Sequence, residues 1–309
     1  MTTAELLDRF EACILAGAIG DAWGSSKENQ RAADPKTLHY WAEPKTEDPP
    51  WAFTDDTQLT SATCLALADP RGFSPEVLSA HFVDYFQRGK ISRAGASTLK
   101  ALIELEAGIH WRQTGRTGEH AAGNGAAMRI APLAFFEAVD NECIRSVCRI
   151  THRNDEAYVG ALAVVTAIRQ FNSGGWQGGS DLFDHIAPML PDSRLRDRMI
   201  EIADMGTEAS IQDIAGLGTT GYVVHSIPLA LFAASRAKEI GIVAMFENLI
   251  AAGGDTDTNA SIAGQVAGTV AGTMGLPVEL VHRLRSVPRF DDVQIALGRG
   301  CAALERQTR

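Results

Sequence analysis

The apolar positions of the chain recur mainly at helical spacing. In residues 4–19, Leu6, Phe10 and Ile14 stand four residues apart and share one face of a helix. The small residues of 17–24 follow, and they are predicted to end this helix and to let another backbone come close. The alternation of apolar and polar positions that indicates a strand is almost absent.

The same spacing predicts a further series of helices. They cover residues 59–67, 74–87, 95–107, 126–139, 141–151, 155–171, 190–205, 222–234, 240–252, 259–274, 277–285 and 291–306, and the one over 126–139 is interrupted by Pro132. Residues 25–53 are polar, contain four prolines and are predicted to form a long loop, which is usually a functional feature. With no internal repeat and no linker-like composition, the sequence predicts an all-α fold, a single compact multi-helix domain of residues 1–309.

The composition is that of an ordinary globular protein. Of 309 residues, 45% are hydrophobic and 21% are charged, with a net charge of −10. This charge disfavours nucleic acid and anionic membrane surfaces as partners, and no uncharged apolar run reaches membrane-spanning length. Five cysteines without a CxxC pair, and an N-terminus with acids where a signal peptide needs bases, predict reduced thiols in the cytoplasm. We also expect a monomer.

Candidate chemistry is concentrated in residues 253–259, Gly-Gly-Asp-Thr-Asp-Thr-Asn. A glycine turn here opens onto a helix, and five potential oxygen ligands crowd together without a Lys or Arg. Any one of them could serve as a helix cap, which is the structural alternative. A cap needs one such residue, however, and carboxylates this close repel one another unless a cation lies between them.

Two other stretches have the same chemistry. One is Thr54-Asp55-Asp56-Thr57, and the other is Gly20-Asp21-Ala22-Trp23-Gly24 with Glu28 close behind it. Hard oxygen ligands select Mg²⁺, Mn²⁺ or Ca²⁺ over zinc. Because the acidic clusters together hold more ligands than one ion needs, the sequence predicts a two-metal site that orients a water. For Thr54-Asp55-Asp56 alone, a helix cap with acidic first-turn residues would be the better interpretation.

Three weaker signals accompany the acidic stretches. Residues 123–129, Gly-Asn-Gly-Ala-Ala-Met-Arg, could form a phosphate-binding turn at a helix start, or a plain turn. Thr151-His152 stands between two predicted helices, where His152 could face a ligand or be structural. Glycines at 264, 268 and 272 are predicted to let the last motif's helix pack tightly in the core.

These stretches, in this order over residues 14–275, resemble the ADP-ribosylglycohydrolase family. The resemblance implies an all-α fold with a binuclear Mg²⁺ or Mn²⁺ centre that cleaves the glycosidic bond between ADP-ribose and an acceptor. Carried over by position, it implies the metal ligands Thr54, Asp55, Asp56, Asp255, Asp257 and Thr258. It implies catalytic roles for Glu28, Asp55 and Asp56. Glu28 would lie beside the metals as a ligand or as a proton carrier, and the proton would be moved by Glu28 or Asp56. It implies ADP-ribose contacts from Gly95, Gly123, Asn124, Gly125, Met128, His152, Gly253 and Gly254.

The substrate implied by the resemblance is an ADP-ribosylated protein side chain or a small ADP-ribosyl compound. Two other classes of function stay open: a metal-dependent nucleotide phosphohydrolase and a non-catalytic ADP-ribose-binding protein. Arg93 stands two positions before Gly95, where the resemblance suggests an acidic residue in the branch that acts on arginine linkages. If Arg93 faces the cleft, a guanidinium acceptor should be disfavoured; alternatively, Arg93 points to solvent or pairs with Glu104 or Glu106.

Overall fold

The helices of the protein account for most of its length. The structure, a computed structural model, describes residues 1–28 and 49–308, so most of the predicted loop, with Pro35 and Pro44, lies outside the described residues. Within these ranges the α-helices are α1 (Thr3–Ser25), α2 (Asp55–Leu67), α3 (Pro75–Gln87), α4 (Ala96–Glu106), α5 (Asn141–Arg149), α6 (Asp155–Ser173), α7 (Leu182–Ile186), α8 (Arg194–Asp204), α9 (Ile211–Ala215), α10 (Val223–Ile240), α11 (Ile242–Ala252), α12 (Thr256–Ala271), α13 (Val278–Arg285) and α14 (Phe290–Gln307).

Extended structure is minimal in the described ranges. Two strands of two residues each, β1 (Arg116–Thr117) and β2 (His152–Arg153), pair in parallel with Arg116 opposite His152. Short 3-10 segments occur at Glu119–Ala121, Asn124–Ala126, Ala131–Phe135, Ala187–Met189 and Thr273–Gly275. The predicted all-α fold is confirmed. No described helix is long and apolar enough to cross a membrane.

The centre of the fold is the contact between α1 and α12. A Cβ on Gly20 of α1 would overlap the backbone carbonyl of Ala260, and a Cβ on Gly264 of α12 would overlap that of Ala16. Gly268 meets the carbonyl of Ala12 in the same way. The two backbones are therefore in direct contact, which only glycine permits. The predicted packing role of the glycine series is correct at 264 and 268.

Two of the predicted helix ends are wrong. The small residues of 17–24 do not end α1, which runs on to Ser25 because they form the surface that α12 covers. Gly272, in contrast, does not pack along α12 but ends it, with a φ of 66°. Small residues in a helix can mark a close contact as well as a terminus.

The predicted helix over residues 126–139 is also wrong. This stretch holds the end of one 3-10 segment, a turn and a second 3-10 segment, Ala131–Phe135, that contains Pro132. Proline has no N–H to donate and its ring clashes with the carbonyl four residues earlier, so a continuous α-helix is interrupted here. Most of these side chains are buried, as the apolar periodicity predicts, but the backbone is not α-helical.

The α1–α12 contact generates a stability prediction. Gly264→Ala places a methyl group against the Ala16 carbonyl and should lower the free energy of unfolding by about 1–3 kcal/mol, the usual cost of overpacking. Urea denaturation followed by circular dichroism measures this. The matched control is Gly298→Ala in α14, where nothing lies within 4 Å of the added Cβ and helix propensity should stabilise by up to about 1 kcal/mol. Equal effects of the two changes would contradict the proposed contact.

Candidate active site

A cavity of about 310 Å³ lies where the starts of α2, α4 and α12 face the Asn124–Ala126 turn and β2. Eleven of the residues implied by the resemblance line it: Glu28, Asp55, Gly95, Gly123, Asn124, Gly125, Met128, His152, Asp255, Asp257 and Thr258. Arg93, Ala96, Ser97, Thr98 and Gly221 also line it. The structure thus brings residues from stretches more than 200 positions apart into one cavity.

Two helix N-termini supply the acidic side of the cavity. Thr54 caps α2, so that Asp55 and Asp56 occupy its first turn. Asp255 precedes α12, and Asp257 and Thr258 occupy the first turn of that helix. The two termini meet where the hydroxyl of Thr258 donates to Asp56 Oδ2 at 3.2 Å. The partial positive charge of helix N-termini favours carboxylates at these positions.

Asp21 of α1 is hydrogen-bonded to the start of α2 at this junction. It is fully buried, and its carboxylate accepts hydrogen bonds from Thr54 Oγ1 at 2.7 Å, Thr54 N at 3.0 Å and both the amide and the hydroxyl of Thr57. Asp21 was predicted only as part of an acidic stretch, without a role of its own. The available signal was a carboxylate directly after the uncharged run of residues 12–20, because such a group is buried only where donors satisfy it.

The carboxylates form two groups that share one member. One oxygen each from Asp21, Asp56 and Asp257 lie within 4.8 Å of one another, and so do oxygens of Glu28, Asp255 and Asp257. Asp56 Oδ1 is buried and has no hydrogen-bond partner among the described residues. Clustered carboxylate and hydroxyl oxygens with an unsatisfied acceptor are the donor set of hard divalent cations. The residues therefore fit the predicted kind of metal site.

Burial and crowding raise the pKa values of these acids. Burial, followed by the negative charges of Asp21 and Asp257, holds the pKa values of Asp55 and Asp56 well above the usual range. The pKa of Asp255 rises to about 7, mainly through burial and then through Asp257. Burial also raises the pKa of Glu28, with Asp257 adding to the effect and Arg93 opposing it. Without a cation, the cluster therefore retains protons that separate aspartates would lose.

The Asn124–Ala126 turn forms the opposite side of the cavity. Asn124 N donates to Gly221 O at 3.0 Å, and Asn124 Nδ2 donates to Asp255 Oδ2 at 2.6 Å, so the turn is tied to the acidic cluster. A Cβ on Gly125 would lie 2.8 Å from His152 Cε1, which makes glycine necessary there. The turn is a single 3-10 turn, so the predicted phosphate-binding helix start is not formed.

His152 is buried beside this turn, at 3% exposure. Its Nδ1 lies 2.8 Å from the hydroxyl of Thr151. Burial, and then the positive charges of Arg129 and Arg116, lower the pKa of His152 to about 3. The imidazole is therefore neutral at physiological pH.

Four residues implied by the resemblance lie outside the cavity lining. Thr54 and Asp56 are buried directly behind it. Gly253 and Gly254 form the left-handed turn before α12, with φ values of 72° and 79°. There the Asp255 amide donates to Thr219 O at 2.9 Å, and a side chain on Gly254 would overlap Thr219. In this structure the two glycines form the turn that positions Asp255. Their predicted contact with ADP-ribose stays a prediction.

Ser97 and Thr98 open α4 immediately after Gly95, within residues 92–98, which the family resemblance assigns to the substrate side. One lining residue, Gly221, was not predicted. Gly221 carried no signal, because an isolated glycine in an irregular connection is common. Its role emerges only from the hydrogen bond that its carbonyl accepts from Asn124.

Fold and site together define a helical protein with an acidic cavity, and comparison with known proteins names its family. The profile of the ADP-ribosylglycohydrolase family matches residues 2–307, so the chain belongs to this family of glycohydrolases. The family and the enzyme class expected from the resemblance are confirmed.

The individual relatives are similar to this chain at low sequence identity. The chain is 27% identical to ADP-ribosylarginine hydrolase Tri1 of Pseudomonas putida over 301 residues, covering 92% of this chain and 76% of that one. It is 24% identical to human ADP-ribosylhydrolase ARH3, covering 85% of each chain. A solved structure described as an ADP-ribosylglycohydrolase-related protein complex has a TM-score of 0.72 at 24% identity, covering 99% of this chain and all of that one, which supports the fold.

The raised pKa values predict how the metal-free protein responds to pH. An acid whose pKa is higher in the folded state stabilises the fold at low pH, and that contribution is lost as the pH rises through the folded value. In the presence of a chelator, stability should therefore fall between pH 5 and pH 7, by up to about 1.4 kcal/mol per pH unit for each such group. Denaturation midpoints across this range test the prediction.

The control for this experiment is Asp255→Asn, which keeps an oxygen for the Asn124 bond but removes one titrating group. Its stability should depend less steeply on pH than that of the unchanged protein. A metal-free protein that gains stability over the same range, or a variant with an unchanged slope, would contradict the interpretation of the cluster.

Proposed function

We propose that the protein hydrolyses the glycosidic bond between ADP-ribose and an acceptor, and that this activity depends on two divalent ions, Mg²⁺ or Mn²⁺. The observation that carries the proposal is the meeting of Asp55, Asp255 and Asp257 with the Asn124–Ala126 turn and His152 in one cavity. The names of the relatives, an ADP-ribosylarginine hydrolase and an ADP-ribosylhydrolase, support it.

The residues that would hold the ions are Thr54, Asp55, Asp56, Asp255, Asp257 and Thr258. The two carboxylate groups, which have Asp257 in common, would offer more oxygens than one ion needs, and this supports two ions. When bound, such ions supply Lewis-acid polarisation and a water activated at neutral pH. Asp21 would act beneath this set by fixing Thr54 and the start of α2.

The reaction that we propose breaks the bond between the anomeric carbon of the ribose and the acceptor. Water adds a hydroxyl group to that carbon, and the acceptor leaves with a proton. Glycoside cleavages pass through a transition state with oxocarbenium character and need a group that moves the proton. Glu28 and Asp56 were the two candidates from sequence.

Their positions in the cavity favour Glu28 as the proton carrier. Glu28 lines the cavity and its side chain is 31% exposed, so that it can reach a ligand. Burial and then the charge of Asp257 raise its pKa, which is the direction that helps a carboxyl group to hold a proton for transfer. Asp56 is only 1% exposed and lies behind the lining, where a ligand-holding role fits better. Asp55 lines the cavity and keeps both its metal and its catalytic assignment within the proposal.

The partner that follows is an ADP-ribosylated protein, whose modification would be reversed, or a small ADP-ribosyl compound. The opening of the cavity past Ser97 and Arg93 gives access from the surface, since Ser97 and Arg93 both belong to the lining and Arg93 is 49% exposed. The cytoplasmic location and the monomeric state expected from the sequence stay predictions.

The test is a release assay over a panel of arginine-linked, serine-linked and nucleobase-linked ADP-ribose, the first two on proteins. We expect free ADP-ribose as the product, loss of turnover in excess chelator, and recovery on adding Mg²⁺ or Mn²⁺. Asp257→Asn should lower turnover at least about 100-fold, as expected when one preorganised charged group is removed from a catalytic site. The matched control is Asp291→Asn, which removes an exposed carboxylate from the first turn of α14 and should leave turnover unchanged.

Other products would assign the protein to another class. Release of AMP from ADP-ribose, without free ADP-ribose from modified proteins, would identify a nucleotide phosphohydrolase. Tight binding of ADP-ribose without any product would identify a reader. Full turnover after exhaustive chelation would contradict the metal requirement, and unfolding of Asp257→Asn would mean that the cluster is chiefly structural.

The charges of the cavity lining also affect which acceptor the protein would release. Arg93 lines the cavity, with its Nη1 3.7 Å from Glu28 Oε2 and 3.3 Å from the carbonyl of Ser25. It does not take up the alternative pairing with Glu104, which bonds Lys100 instead. A guanidinium acceptor beside Glu28 would meet the positive charge already placed there, and like charges are disfavoured.

We therefore predict a preference for neutral or anionic acceptors that depends on the charge at position 93. Arg93→Asn and Arg93→Asp should raise the ratio of arginine-linked to serine-linked release in steps of about threefold, the size expected of a partly exposed charge pair. Both replacements suit the backbone, because Arg93 has a φ of 57° and Asn and Asp tolerate this region. An unchanged ratio across the three proteins, with arginine preferred throughout, would refute the role of Arg93.

A further inference from the structure

Arg129 is a buried cation without an acidic partner. It is fully buried, and no carboxylate of the described residues lies within ion-pair distance of it. Its guanidinium donates to Gly125 O and, at 2.8 Å, to the hydroxyl of Thr151, and it lies 5.1 Å from the centre of the Phe82 ring. Burying an unpaired charge is costly, so its position calls for a role beyond packing.

Thr151 passes the effect of Arg129 to His152. The Thr151 hydroxyl is buried and has two partners among the described residues, Arg129 Nη2 and His152 Nδ1, each at 2.8 Å. Arginine can only donate, so it takes an acceptor position of the hydroxyl oxygen. The one hydroxyl proton then has His152 Nδ1 as its acceptor. A neutral imidazole that accepts at Nδ1 carries its proton on Nε2.

The protonated nitrogen faces the ligand side of the cavity. His152 lines the cavity, and its Nε2 would lie 3.2 Å from a Cβ on Gly123 and 3.3 Å from one on Gly125. The glycines leave this nitrogen uncovered where a larger side chain would block it. The result is an imidazole N–H donor beside the Asn124–Ala126 turn, in a cavity whose lining also holds four carboxylates.

We propose that Arg129 and Thr151 are positioning residues that fix His152 as the Nε2–H tautomer, so that His152 donates a hydrogen bond to an oxygen of the bound ADP-ribosyl group. The identity of that ligand rests on the proposed function; the tautomer does not. The positive charge of Arg129 orients the Thr151 hydroxyl. After burial, it is also the next cause that lowers the pKa of His152, so a second proton on the imidazole is disfavoured.

A structural explanation of Arg129 has to be separated from this role. Its bond to the Gly125 carbonyl would stabilise the turn whatever His152 does. The informative change is therefore at Thr151, which touches both partners through one hydroxyl. Thr151→Val removes that hydroxyl at nearly constant volume, and Thr151→Ser retains it.

The first measurement is the nitrogen-15 spectrum of the histidine side chains in the metal-free protein, with the His152 signals identified by their loss in His152→Gln. We expect Nδ1 to resonate as an unprotonated nitrogen and Nε2 as a protonated one. In Thr151→Val the two tautomers should mix, and in Thr151→Ser the single tautomer should return. The control Thr166→Val removes a buried hydroxyl that bonds only its own helix, at Leu162 O, and should leave the His152 signals unchanged.

The second measurement is the affinity for ADP-ribose by calorimetry. Thr151→Val should bind about tenfold more weakly, as for the loss of one hydrogen bond to a charged or strongly polar group, and Thr151→Ser within about threefold of the unchanged protein. A proton on Nδ1 in the unchanged protein would overturn the proposal, as would Thr151→Val with unaltered tautomer and affinity. The spectra need no ligand, so the tautomer stands or falls on them even if the release assay yields no ADP-ribose.

Discussion

Mutual repulsion among buried carboxylates is the constraint on which the site depends. Asp21, Asp56 and Asp257 approach within a few ångströms in a region of low exposure, where like charges interact strongly. The protein compensates part of this locally, through four hydrogen bonds to Asp21 and through two helix N-termini. What remains has to be balanced by protons or by cations, and the raised pKa values express the first of these.

The packing of α1 against α12 fixes the positions of these carboxylates despite their repulsion. The backbone contact continues from Gly264 and Gly20 to the edge of the site, where Thr256 Oγ1 donates to Gly24 O at 2.9 Å. The first turn of α12 is thereby held against α1, which carries Asp21. A looser interface would let the acids move apart and relieve their repulsion. The glycines are therefore part of the site, although none of those in α1 or α12 lines the cavity.

The sequence predicted the acids of the cavity better than it predicted the residues that hold them in place. Asp55, Asp255 and Asp257 were recognisable because acids and hydroxyls crowd at helix starts, and a local pattern is enough to reveal that. Asp21 and Gly221 act through partners 33 and 97 positions away, at Thr54 and Asn124, and no local pattern encodes such contacts. For residues 126–139 the error is the opposite one. A helical period is present in the sequence, but Pro132 and the burial of the turn give the backbone a 3-10 conformation instead of an α-helix.

Negative charge is concentrated on one side of the cavity, and this bears on the orientation of a ligand. The acids Asp55, Asp255 and Asp257 lie on one side and Arg93 lies beside Glu28, whereas the neutral His152 lies on the other side with Arg129 buried behind it. ADP-ribose has neutral riboses and an anionic pyrophosphate. In a protein of net charge −10, the pyrophosphate can be held only by local donors and local positive charge. In the proposed function, the field of Arg129 and the N–H of His152 draw the phosphates to their side, and the ribose that carries the acceptor is left facing the carboxylates.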